Sequence, residues 1–139
     1  MDYRRFGGKI IVRLDKGEEI IETLKNLSVK ENIKLGSVSG IGAVKNVELR
    51  YFDPDTKKYH DQSFEKSYEA APISGNISRM SGEVYLHVHA SLGGDDFTSV
   101  AGHLRSARVS ATFEAVIDII GGEVDRLFSE EIGLNLLKF

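Results

Sequence analysis

Apolar and polar positions alternate along most of this chain, and the period separates strand from helix. Val47, Leu49 and Tyr51 alternate with Glu48 and Arg50, as in a strand with one face buried. Val84, Leu86, Val88 and Ala90 repeat the pattern within Glu83–Ser91 (EVYLHVHAS), and Val109, Ala111, Phe113, Ala115, Ile117 and Ile119 point one way in a longer run. Between Glu18 and Glu31 the period lengthens. Ile20, Ile21, Leu24 and Leu27 fall on one stripe at helical spacing, and acids in the first turn suit the positive end of the helix dipole.

Punctuation sets the other elements. Asp15-Lys16-Gly17 ends a β-rich run from Lys9 to Leu14, Asp53-Pro54-Asp55-Thr56 makes a turn, and Gly93-Gly94-Asp95-Asp96 and Gly121-Gly122 close two more strands. Tyr59–Tyr68 reads as a polar edge strand. Pro72–Met80 reads as a shorter strand broken at Gly75, and Val124–Ser129 as the last strand. Glu131–Phe139 is apolar enough to dock onto the core. The glycines of Gly36-Ser37-Val38-Ser39-Gly40-Ile41-Gly42 lack a Walker lysine and the spacing of a dinucleotide loop, so tight sheet packing accounts for them. Strands joined by short turns, with one helix, predict an α+β fold. The expectation is an antiparallel or mixed sheet of six to eight strands and one main N-terminal helix, in a single domain spanning 1–139.

Composition narrows the chemistry. A net charge of −3, with 21 acids against 18 scattered Lys and Arg, opposes a polyanion partner bound through phosphate neutralisation. No cysteine is present, so a metal would have to use imidazole or carboxylate. The first residues lack the apolar core of a signal peptide and no stretch approaches a membrane span, so the expected location is the cytoplasm and no membrane partner is expected.

Imidazole is concentrated in one place. His87 and His89 sit two apart on the cleanest strand, which puts both rings on one face about 6.6–6.8 Å apart along it. His103 follows the Gly93–Asp96 turn, where a returning strand would bring it beside the pair. Three of the four histidines therefore predict one metal site, for Zn²⁺ or another divalent transition metal, with an open fourth position. His60, in the polar strand, is expected to be solvated. Carboxylates that could orient the imidazoles are Asp95, Asp96, Glu69 and Glu114, the last two also being candidates for moving protons. Arg105 and Arg108, close to His103, are candidate contacts for a small anionic ligand or exposed charges.

These residues resemble the plant-and-prokaryote-conserved (PPC) domain, also called the PD1-like DNA-binding family. The resemblance covers nearly the whole chain. It runs through Gly40-Ile41-Gly42-Ala43, Glu69 to Ser74-Gly75-Asn76-Ile77, His87-Val88-His89, Gly102-His103-Leu104 and Thr112-Phe113-Glu114-Ala115-Val116-Ile117. It implies a homotrimer with zinc on the histidines near a subunit boundary, and a fold shared with acetolactate decarboxylase, whose metal is held by three histidines. Plant members carry AT-hooks; here there is no Arg-Gly-Arg hook and no basic extension. Three functions follow as expectations: a metal-binding, self-associating domain, a metal enzyme acting on a small keto or hydroxy acid, and a DNA-binding protein as the family label has it.

Overall fold

The computed structural model describes all 139 residues. Its elements run β1 (Asp2–Phe6), β2 (Lys9–Asp15), α1 (Ile20–Lys30), β3 (Gly36–Asp53), β4 (Lys58–Phe64), β5 (Tyr68–Met80), β6 (Glu83–Gly93), β7 (Ser99–Ile119), β8 (Asp125–Ser129) and β9 (Leu134–Lys138). Seven strands make one antiparallel sheet in the order β1-β2-β7-β6-β5-β3-β4, and β8 with β9 forms a separate hairpin. Because β3 also pairs with β7, the strands β3, β5, β6 and β7 close into a ring.

The interior of that ring explains the alternation. Val84, Val88, Ala90 and Leu92 of β6 face inward with Val109, Phe113, Ala115 and Ile117 of β7, all at most 5% exposed. Helix α1 covers the sheet with Ile20, Leu24 and Leu27. Each fully buried side chain of this kind contributes roughly 1.5–3 kcal/mol, against about 0–1 kcal/mol for a surface ion pair, so the core carries the stability. The helix holds the whole apolar stripe but starts two residues later than the expected Glu18, because Glu19 stays extended (φ −90°, ψ 126°) and its side chain accepts from the Glu22 N–H at 2.6 Å. It is too short to cross a membrane, and no helix here is long and apolar enough to do so.

Several boundaries move for identifiable reasons. Pro72–Met80 is not a separate short strand: β5 starts at Tyr68 and passes through both Pro72 and Gly75. Gly75 pairs with Val88, and a Cβ there would run into the His87 carbonyl oxygen and the Val88 backbone, so the glycine permits close approach and breaks nothing. Ala111 is exposed, unlike its predicted partners, because the β3–β7 register steps from Gly42↔Phe113 to Val44↔Val109, leaving two extra residues on β7. Tyr51 is 65% exposed near the end of β3. Phe6 ends a β1 strand that periodicity missed, and Leu134–Lys138 is itself a strand, with its Leu136 and Leu137 and the Phe139 that follows it left exposed and not docked on the core. The polar β4 is an edge strand, as its composition implied.

Gly75→Ala is expected to destabilise the fold by about 1–3 kcal/mol, because overpacking here meets backbone and no flexible side chain can yield. Urea unfolding checks this; an unchanged midpoint would contradict the β5–β6 contact.

Candidate metal centre

The pairing of β6 with β7 places the three imidazoles. His89 lies directly across from His103, and His87 shares the outward face of β6 two residues earlier. Ring centroids are 5.2 Å (His87–His89), 5.3 Å (His87–His103) and 5.4 Å (His89–His103) apart. The candidate ligand nitrogens all fall within 4.8 Å of one another, and Nε2 of His87 is 3.3 Å from Nε2 of His89. Two zinc–nitrogen bonds of about 2.0–2.1 Å at a tetrahedral angle separate their nitrogens by roughly 3.3 Å, so the donor set and spacing suit such an ion.

The surroundings of His87 and His103 favour their neutral form. Partial burial, then the neighbouring imidazoles, then Arg50 lower the His103 pKa from 6.5 to about 4. Burial, His89 and Arg126 lower that of His87. Neutral imidazole is the form that binds metal.

What surrounds the rings is different from what chain proximity suggested. A cavity of about 260 Å³ beside His87 and His103 is lined by Tyr59, Asn76, Tyr85, Arg126 and the β9 segment from Leu134 to Leu137. None of the four candidate acids lines it. Glu69 and Asp95 share a separate cavity with Tyr68, and Asp96 is occupied by the Thr98 N–H (2.9 Å) and hydroxyl (2.7 Å) within the β6–β7 turn. Glu114 lies opposite Arg13 in a larger cleft of about 450 Å³ against β1 and β2, without any of the histidines. Arg105 is tied to Asp61 (3.1 Å) and Glu48 (3.6 Å), so its charge is already compensated, and Arg108 donates to the Gly17 carbonyl at 3.0 Å. His60 is 67% exposed at its side chain, 3.9 Å from Asp53.

The residue that sequence reading missed is Arg126. It crosses from β8 to the outer face of β5 and donates to Ser78 Oγ (2.8 Å), Asn76 Oδ1 (2.7 Å) and the Asn135 carbonyl (2.8 Å), with its guanidinium 4.6 Å from the Tyr85 ring centroid. Asn76 is the cross-strand partner of His87, and Ser78 that of Tyr85. The available signal was an arginine set among the apolar Val124, Leu127 and Phe128 of a short predicted strand.

A small antiparallel β protein with one helix and a three-histidine cluster is thus defined by its geometry. The Plants and Prokaryotes Conserved (PCC) domain model matches residues 1–121, and the chain belongs to that family. Its fold is shared with solved relatives. A proposed DNA-binding protein of Bacteroides thetaiotaomicron is 36% identical with a TM-score of 0.97, the match covering 99% of this chain and 96% of that one. A PPC protein of Pyrococcus horikoshii is 30% identical (TM-score 0.87; 99% and 94% covered), and a metal-containing protein of Archaeoglobus fulgidus is 28% identical (TM-score 0.88; 100% and 99% covered). No curated protein matches the chain.

The lowered histidine pKa values set the sign of a pH effect on metal-free protein. Between 6.5 and about 4 the unfolded chain binds more protons at His103 than the folded one, and His87 acts in the same direction, so stability falls as pH drops through that window and the His103 loss levels off below it. Thermal melts at successive pH values are expected to show this decline for the wild type and a shallower one for His103→Gln; equal slopes would remove the assigned cause.

Proposed function

We propose that the chain acts as one PPC-type unit over residues 1–139 that binds a divalent transition metal, zinc by preference, through His87, His89 and His103, and assembles as a homotrimer. The observation that carries this reading is the convergence of three imidazole nitrogens within 4.8 Å on adjacent strands. Zinc is favoured because an all-nitrogen set of three with a fourth position open suits its tetrahedral preference. When bound there, the ion would supply Lewis acidity at that open position. The Archaeoglobus relative, a metal-containing protein, supports the metal. Self-association is supported by the exposed apolar side chains gathered on the β8–β9 hairpin and its flanks: Leu127, Phe128, Ile132, Leu136, Leu137 and Phe139.

A second reading, a metal enzyme acting on a small keto or hydroxy acid, is favoured by the cavity that opens at His87 and His103. An architecture like that of acetolactate decarboxylase would be compatible with the same donor set, but a common architecture would not assign a reaction. DNA binding, for which the Bacteroides relative is proposed, would need cations concentrated on one face of a chain with net charge −3.

Elemental analysis of the purified protein is expected to give one metal per chain, lost in His87→Ala and His103→Ala, with light scattering reporting three chains per particle. Unchanged metal content in both variants, or a monomer, overturns the corresponding half of the proposal. For duplex DNA, fluorescence anisotropy is expected to show no binding at 50 mM salt (about the low end of the usual range). A complex that weakens steeply as salt rises would instead restore the DNA reading.

A further inference from the structure

Arg126 is only 8% exposed, yet no carboxylate lies within ion-pairing distance of its guanidinium. Its three partners, Ser78, Asn76 and Asn135, are neutral acceptors. A guanidinium has about five N–H donors, so roughly two remain, one on each terminal nitrogen. A buried charge without a counter-charge is costly unless something else compensates it. The chain has 21 acids and places none on the cavity that Arg126 shares with His87 and His103. Arg50 and Arg105, on neighbouring strands, show the contrasting solution: Arg50 pairs with Asp61 through two contacts of 3.0 and 3.1 Å, and Arg105 pairs with both Asp61 and Glu48.

We propose that this cavity binds a small organic carboxylate, with Arg126 as its counter-charge and the histidine centre facing its second oxygen. The inference rests on the metal reading for where that second oxygen goes, and on Arg126 alone for the carboxylate. Size and lining agree with it. About 260 Å³ is below the range of drug-sized pockets, which favours a ligand of few heavy atoms. Leu134, Leu136 and Leu137 form an apolar wall from β9, which lowers the local dielectric and strengthens an ion pair at the arginine. A carboxylate matches a planar guanidinium in shape, and a hydroxyl or keto oxygen on the adjacent carbon would reach toward the imidazoles. Tyr59, 6.0 Å from His103 between ring centroids, borders the same space.

The test is calorimetric titration of chelator-stripped protein, and of the same protein reloaded with zinc, with lactate, lactamide and inorganic phosphate. Lactate is expected to bind both forms, more tightly with zinc, and lactamide, its neutral analogue, at least roughly tenfold more weakly. Arg126→Met should abolish the difference between the two but removes a buried side chain that also ties β8 to β5. Asn76→Asp therefore provides the second variant. It places a carboxylate where Asn76 Oδ1 now accepts from Arg126 at 2.7 Å, so it should melt no lower than the wild type and lose lactate roughly tenfold or more. Lactate binding undiminished in Asn76→Asp, lactamide as tight as lactate, phosphate tighter than lactate, or no lactate binding to either form would each overturn the proposal. If zinc fails to bind while stripped protein still takes lactate through Arg126, the metal reading falls and the carboxylate site stands.

Discussion

Five residue pairs between β6 and β7, from His89↔His103 to Gly93↔Ser99, hold the candidate centre together. Strand side chains alternate faces with period two, so a slip of one residue in this short ladder would send His103 into the core and Leu104 outward. The slip is opposed from behind. Leu104, Val88 and Ala90 are buried on the opposite face, and turning any of them to water would forfeit their burial. The apolar interior thus fixes the register, and the register positions the imidazoles. Gly75 and Gly102 contribute by letting the flanking strands approach: a Cβ on Gly102 would lie 3.0 Å from the Arg50 carbonyl oxygen.

Charge is distributed as deliberately as hydrophobicity. Acids are plentiful on the exterior, where they pair with Arg5, Lys9, Lys34, Arg50 and Arg105, yet absent from the cavity at the histidines. The result is a pocket whose only formal side-chain charge is positive, enclosed partly by leucines. Metal centres commonly orient their imidazoles through carboxylates. Here the cross-strand neighbours of His87 and His89 are Asn76 and Ser74, which are neutral.

Much of this was legible in the sequence, and the reasons are local. Alternation along Glu83–Ser91 placed His87 and His89 on one face because period two is a property of the strand itself, and the helical stripe at Ile20, Leu24 and Leu27 was equally self-contained. His103 needed one tertiary assumption, an antiparallel return after a glycine turn, which short connections favour. The surroundings of the rings were not legible in this way. Asp95 and Asp96 are near His89 and His103 along the chain but point into the turn or another cavity, while Arg126 and Asn76, 50 residues apart, meet through the packing of a hairpin on the sheet. The outward turn of Ala111 depends on a bulge defined by β3, and no pattern within β7 alone encodes it.

The pairing of β2 with β7 joins Lys9 to Asp118 across most of the chain. During synthesis, which proceeds from the N-terminus, β2 therefore has no partner on one side until β7 has left the ribosome. The early β1–β2 hairpin must wait with the backbone edge of β2 unpaired and the apolar face of Ile10, Val12 and Leu14 uncovered. Long-range strand pairing of this kind makes folding slow relative to helical proteins of the same size and leaves the nascent chain exposed to aggregation. The charges on Arg4, Arg5, Lys9 and Arg13 that flank these apolar residues discourage such edge-to-edge association.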